Sequence, residues 1–392
     1  MLHESRGRRA WLIVLLGSLT MFGALSTDMY LPAFPDVAAD FGVSTADIPL
    51  TLTSFMFGMG LGQVLYGPLS DRFGRKPPLL VGLVVFIFAS IMCATADSLT
   101  SLVIWRFVQA LGGAAGIVVA RAFVRDHFTG VDLARMMTQL GVVFALAPAF
   151  APTIGAVVLH FASWQWVFIV LAAFGVYTLV GAVTLTESHP EDRRVKHGVA
   201  DTARSYLEIF RHREFRFAVA AMMGGSAMLF GFVAASPAVM LEQYGLDSQA
   251  FAVLFGANSL AMVVASQINI RVLPRVGVRG VLMVSTRVSV VAAVVLMVAV
   301  LLDLPLAVLL VCTAVVTGTV SVLFGNGMTL ALTPFGHRAG TATALLGLMQ
   351  YLANGVTAGL LSQLPGSPAM HMAGAMLTGA VVSFAFVRRT TV

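Results

Sequence analysis

Gly67-Pro68-Leu69-Ser70-Asp71-Arg72-Phe73-Gly74-Arg75-Lys76 is a short polar turn set between two long apolar runs, near 48–70 and 78–96. Each flanking run reaches the roughly 20 apolar residues that a helix needs to cross a bilayer. The turn holds three cations, and Lys and Arg in short loops are retained on the cytoplasmic side of a membrane. Gly67 is expected to permit close helix approach, and Asp71 to face the amino terminus of a neighbouring helix. Arg72, Arg75 and Lys76 are expected to latch this side through charge pairs.

The same alternation runs along the whole chain. Of its 392 residues, 58% are hydrophobic and only 11% charged, against about 25% charged in soluble domains. Apolar runs bounded by Pro, Gly or charge fall near 11–34, 48–70, 78–96, 99–124, 134–158, 165–186, 215–240, 250–270, 279–302, 304–330, 339–362 and 368–387. The predicted fold is an all-α polytopic membrane protein with twelve transmembrane helices.

Charge sets the orientation. Every Lys and Arg except Arg106 and Arg287 falls at the amino terminus, after an even-numbered span, or at the carboxyl terminus. The opposite loops carry Asp36, Asp40, Asp47, Asp97, Glu242, Asp247 and Asp303. Both termini are therefore expected in the cytoplasm. A net charge of +6 reports this topology and calls for no nucleic-acid partner. Arg6, Arg8 and Arg9 before an apolar run look like the start of a signal peptide, yet the run continues to full spanning length. Cys93 and Cys312 are isolated in apolar runs without metal-site spacing, and read as packing residues.

Two halves are expected. The only long polar stretch, residues 187–216, lies near the middle of the chain, which divides it into bundles 1–187 and 215–392 joined by a linker 188–214. Part of that linker, Thr202 to His212, has the pattern of a short amphipathic surface helix or of a solvated charged segment. Arg275-Val276-Gly277-Val278-Arg279 echoes the opening turn 203 positions later, as a parallel six-plus-six duplication requires. Pro274 stands where the first copy has Asp71.

A charge in mid-membrane costs at least about 2.5 kcal/mol and marks function or packing. Asp28, Arg106 and Arg287 are the three such residues in the expected spans. Asp28 in span 1 and Arg106 in span 4 share a depth, about 10 Å below the outer boundary at ~1.5 Å per residue. Asp28 is the candidate proton carrier, since a carboxylate changes charge and a guanidinium does not; Arg106 is its electrostatic partner or else a packing residue. Arg287 reads as a snorkelling side chain, or as an inner gate. Asn258, Asn326, Gln350 and Asn354 in the second half are polar positions for substrate contact or interhelical hydrogen bonding.

The opening decapeptide resembles the signature loop of the major facilitator superfamily. Arg106-Phe107-Val108-Gln109-Ala110-Leu111-Gly112-Gly113 is similar to the span 4 motif of its drug:proton antiporters, with Ala110 where Gly is usual. Ala147-Pro148-Ala149-Phe150-Ala151-Pro152-Thr153-Ile154-Gly155 resembles the antiporter motif of exporters, in which Pro148, Pro152 and Gly155 would bend span 5. Ser26-Thr27-Asp28-Met29-Tyr30-Leu31-Pro32-Ala33-Phe34-Pro35 is similar to the start of Bcr/CflA drug-resistance transporters, including phenicol and bicyclomycin exporters.

The resemblance implies proton-coupled efflux of small lipophilic or amphipathic drugs, with Asp28 and Arg106 coupling protons and Tyr30 and Gln109 contacting substrate. It implies a bacterial cytoplasmic membrane location, a functional monomer, and partners limited to drug, protons and lipid. No cofactor or metal is expected; the proton gradient supplies the energy, and the GxxxxGK[ST] loop of an ATP-driven pump is absent. The alternative on the same scaffold is export of an endogenous amino acid, nucleobase or sugar. An intramembrane enzyme lacks paired carboxylates, HExxH or a placed GxSxG, and a sensor without transport leaves Asp28 and Arg106 without a purpose.

Overall fold

A computed structural model describes residues 6–190, 199–364 and 366–390, and among these every regular element is helical. Arg193, Arg194 and Lys196 of the expected linker lie outside the described residues. The chain runs through α1 (Arg6–Asp28), α2 (Phe34–Phe41), α3 (Pro49–Phe73), α4 (Lys76–Ala94), α5 (Leu99–His127), α6 (Gly130–Phe161) and α7 (Gln165–Val183). It continues through α8 (Val199–Arg211), α9 (Arg213–Pro237), α10 (Ser248–Leu301), α11 (Leu306–Leu332), α12 (Ala339–Leu361) and α13 (Pro368–Val387). Local chemistry sets several starts. The side chains of Ser98, Asp247 and Ser367 accept from backbone N–H groups at the first turns of α5, α10 and α13, which satisfies donors that a helix leaves open.

Two expected boundaries change. Span 1 is not one helix to Phe34: α1 stops at Asp28, a 3₁₀ turn covers Leu31–Ala33, and α2 resumes. Pro32 and Pro35 remove backbone donors, so an uninterrupted ladder cannot form there. Spans 8 and 9 are joined without a loop, as the 54-residue α10, broken only at Gly277 (φ 75, ψ 164). A straight helix of that length would measure about 80 Å, far beyond a bilayer. The chain instead doubles back at Gly277. Ser266 before the break donates to Ser321 (3.1 Å), and Ser285 after it donates to the Thr319 carbonyl (3.2 Å), two residues apart on α11. With that reversal the described residues hold twelve helices apolar and long enough to cross a membrane.

In the first half α1 packs on α5 and α6, and α5 on α3 and α4, with α7 against α4. In the second half α9 packs on α11, α12 and α13, and α10 on α11 and α13. The halves meet where α3 faces α12 and where α6 faces the first part of α10. These two contacts, span 2 with 11 and span 5 with 8, exchange under a half-chain repeat. Small residues permit the closest crossings: a Cβ on Gly112 of α5 would lie 2.6 Å from the Gly82 carbonyl of α4.

One end of the bundle carries the arginine-rich turns and the other the acidic ones. At the acidic end α2 and the 3₁₀ turn reach across to α9 and the π-helical turn Ala238–Gln243, and Asp40 of α2 accepts from Trp164 Nε1 (2.9 Å) and Gln165 Nε2 (3.2 Å). At the basic end a cavity of about 700 Å³ lies between α3, α5, α8 and α12. The linker therefore contains the expected amphipathic helix, and α8 forms one wall of this cavity.

Candidate functional site

Arg106 is fully buried on α5. Its Nη1 donates to Gln109 Oε1 (2.6 Å), Gln109 Nε2 donates to Ser90 Oγ (2.8 Å), and Ser90 donates to the Phe86 carbonyl (2.7 Å). Three rings surround the guanidinium, with Phe55 at 4.2 Å, Tyr30 at 5.3 Å and Phe168 at 5.6 Å from its carbon to the ring centroids. Cation–π attraction of this kind strengthens out of water. Nε and Nη2 have no hydrogen-bond partner, so no carboxylate among the described residues holds Arg106.

Asp28 is buried at the last position of α1, without an ion-pair partner among the described residues. Two residues on, Tyr30 lies in the ring cluster over Arg106. The structure therefore brings Asp28 and Arg106 to one region through Tyr30 and leaves them unpaired with each other. Its neighbour Thr27 donates to the Gly23 carbonyl (2.9 Å) and is within hydrogen-bonding reach of the Asp28 carboxyl. Asp28 sits at the carboxyl end of α1, where the chain passes into the 3₁₀ turn Leu31–Ala33.

The proline-containing α6 closes on this turn. Gly155 lies against the Met29 carbonyl so closely that any Cβ would collide with it. Pro152 has no N–H for the carbonyl four residues earlier, and that carbonyl, on Pro148, accepts from Ser259 of α10 (3.4 Å). Pro148, Pro152 and Gly155 thus connect the end of α1 to the interface between halves, while α6 remains one helix from Gly130 to Phe161.

The four polar residues of the second half divide by location. Asn258 donates to Thr313 (3.1 Å) and accepts from Thr317 (2.5 Å), and Asn326 donates to Asn269 (3.0 Å). Both are buried interhelical links between α10 and α11. Gln350 and Asn354 are half-buried on α12; Asn354 Nδ2 approaches Met56 Sδ of α3 at 4.0 Å, and its Oδ1 is unpartnered. Tyr30 and Gln109 are packed completely around Arg106. None of these six expected pocket residues lines the basic-end cavity.

The turn between α3 and α4 is a clasp of different design from the expected one. Arg75 binds the Asp71 carboxylate and Ser70 Oγ (2.9 Å), and its Nε donates to Asp126 of α5 (2.8 Å). Burial works against the Arg75 charge, but the hydrogen bonds to Asp126 and Asp71 outweigh it and hold the guanidinium above its ordinary range. Asp71 meets Arg75 rather than a helix terminus. The amino terminus of α4 is capped by Glu187, which accepts from the backbone N–H of Arg75 (2.8 Å) and Lys76 (3.0 Å). Lys76 Nζ donates to the Val183 carbonyl (2.6 Å), and Arg72 lies over its neighbour Phe73 (5.3 Å). Of the three expected charge pairs, only that of Arg75 forms among the described residues.

Gly67 has open space where a Cβ would stand, so it permits no close approach; it lines the cavity instead. Gly74, at φ 92 and ψ 168, is the glycine the turn needs. Asp126 and Glu187 were not singled out in the sequence, although each is an acid at the basic end of an even-numbered span. Arg121 was read as a loop cation, but it lies within α5 and lines the cavity. Arg287 shares an outward stripe with exposed Val284, Val288 and Val291, the position from which an arginine snorkels.

Twelve apolar crossings in two halves, with a cavity at one end and buried ionisable groups near the other, define a polytopic membrane transporter. The sequence profile of the Major Facilitator Superfamily matches residues 16–358, and the chain belongs to that family. It is 34% identical to an uncharacterized MFS-type transporter, YdgK, of Bacillus subtilis, over 98% of this chain and 97% of that protein. It is 31% identical to a bicyclomycin resistance protein homolog of Haemophilus influenzae, over 96% and 95% of the two chains. The crystal structure of a D-xylose-proton symporter superposes with a TM-score of 0.75 over 99% of both chains at 14% identity, a likeness of fold.

Proposed function

We propose that this chain is a proton-coupled exporter of small lipophilic or amphipathic drugs, working by alternating access in a bacterial cytoplasmic membrane. The basic end faces the cytoplasm, with both termini. The halves 1–187 and 215–392 rock as units on the linker 188–214, the protein acts as a monomer, and the proton gradient is the sole energy source.

The observation that carries this reading is Asp28: a buried carboxyl without a counter-ion, at the broken end of α1, against the Gly155 segment that reaches the other half. A carboxyl there exchanges a proton when the halves part, while caged Arg106 keeps a fixed positive charge nearby. Rocking of α6 against α10 opens the acidic end beside the contact of Gly155 with Met29, which links proton exchange at Asp28 to the rocking of the halves. Contacts at the acidic end and a cavity at the basic end fit an inward-facing stage of the cycle. Tyr30 and Gln109 then serve as supports of Arg106 that become accessible when the acidic end opens.

Drug export is supported by the relative named for bicyclomycin resistance, together with the motif resemblances in spans 1, 4 and 5. The test is growth inhibition of a drug-sensitive bacterium by bicyclomycin, chloramphenicol and florfenicol, with and without expression of the chain. A rise in inhibitory concentration for at least one compound, abolished by Asp28→Asn at equal membrane abundance, is expected. No rise for any drug, with export of an amino acid, nucleobase or sugar instead, would replace this reading.

A further inference from the structure

The basic-end cavity holds more cations than its acids neutralise. Of its arginines, Arg75 is committed to Asp71 and Asp126, and Glu208 has a partner of its own. Arg121 and Arg125, one turn apart on α5, line the same cavity and form no ion pair among the described residues. Like charges at this spacing repel, so the pair is unfavourable unless something negative joins it.

Topology alone does not explain their position. Retention of the basic end on one side requires only cations at the membrane surface. Arg121 instead is six residues inside the end of α5 and within electrostatic reach of Tyr351. Tyr351 in turn stands against Gly23 of α1 and Gly60 of α3, in the middle of the bundle. Arg125 lies across the cavity against Gly340 of α12. The two guanidinium groups therefore span the route from the rim to the interior. Gln63 and Thr341 add donors and Ile117 and Val118 an apolar wall, while Asp71, Glu208 and a further arginine, Arg204, also line the cavity. At about 700 Å³ the cavity is within the ~300–1,000 Å³ range of drug-sized sites.

We propose that Arg121 and Arg125 form an entry site for amphipathic organic anions, gripping a carboxylate or sulfonate group while Ile117 and Val118 receive the apolar body. Guanidinium groups suit these planar or forked oxyanions better than a point charge does. The inference rests on the exporter reading and adds to its substrate class compounds with one negative charge on an apolar frame.

The test uses two fluorescent compounds on one skeleton: anionic 1-anilinonaphthalene-8-sulfonate and neutral N-phenyl-1-naphthylamine. Binding to the full-length protein in lipid nanodiscs is measured by equilibrium dialysis, with empty nanodiscs subtracted. Arg121→Gln with Arg125→Gln is expected to raise the dissociation constant of the sulfonate about ten-fold and that of the neutral compound less than about two-fold. Arg121→Lys with Arg125→Lys, which keeps the charge, should hold sulfonate binding to within about three-fold of wild type. Equal losses for both compounds, or no loss for either, would overturn the assignment. Gradient-driven flux into inverted vesicles separates the two levels: transport of the neutral compound alone sinks the anion site and leaves the exporter reading standing, whereas no transport of these or any tested drug sinks the exporter reading itself.

Discussion

Gly74 and Gly277, 203 positions apart, adopt the same unusual backbone conformation: φ 92 with ψ 168 in the first, φ 75 with ψ 164 in the second. Each reverses the chain between two membrane-crossing helices at the basic end. A β-carbon clashes in this region of φ/ψ space, which belongs almost solely to glycine. The shared geometry is a structural trace of the half-chain repeat, and it survives although Asp71 and Pro274 differ beside it.

Replacing either glycine by alanine is expected to destabilise the protein by about 1–3 kcal/mol. At Gly277 the surroundings are open, so the whole effect there is conformational. Thermal unfolding in detergent checks this; an unchanged melting temperature for Gly277→Ala would contradict the assigned turn.

Gly67→Ala and Gly155→Ala separate the two glycines that the motifs single out. The first adds a methyl to open space at the cavity wall and should keep the fold and retain export. The second drives a carbon into the Met29 carbonyl and should displace α6 from the end of α1, with loss of export at normal membrane abundance. Equal behaviour of the two variants would argue against the α1–α6 closure.

Much of this architecture was legible because it depends on composition and period. Bilayer thickness dictates the length of the spans, and the one-sided arginines mark one end of the bundle. The duplicated turn sets Gly277 at the position of Gly74. What escaped depends on which helices become neighbours: Arg75 was expected to pair, but not with Asp126, and Glu187 looked like the start of the central polar stretch rather than the cap of α4. Asp28 and Arg106 were placed at one depth by counting residues. Their separation by a ring cage rests on Phe55 and Phe168, apolar residues that hydropathy cannot distinguish from ordinary packing.

The clasp carries a pH dependence. Burial pushes the Glu187 carboxyl up, but backbone N–H groups of His189, Arg75 and Lys76 outweigh burial and hold it below its ordinary 4.5. A carboxylate lowered in the folded state stabilises the fold above its unfolded pKa, and loses that contribution as pH falls through the folded value. The melting temperature of the wild type should therefore drop on acidification below about pH 4.5 more steeply than that of Glu187→Gln, which should start lower at neutral pH. Parallel curves would remove Glu187 from the clasp.

Gln109→Leu tests the support of Arg106. It removes the single hydrogen bond to a guanidinium whose other nitrogens Nε and Nη2 already lack partners. Hydrogen bonds to charged groups contribute about 1.5–3 kcal/mol, so a marked fall in thermal stability is expected, with loss of proton-coupled flux. Retention of both would mean that the rings alone hold Arg106.

The most direct test of proton coupling is drug accumulation in inverted membrane vesicles when the lumen is acidified, comparing the wild type with Asp28→Asn. The account predicts accumulation by the wild type on acidification, and for Asp28→Asn no response to the gradient while drug exchange across the membrane continues. Full gradient-driven accumulation by Asp28→Asn would contradict it, because the carboxyl at the end of α1 would then carry no proton.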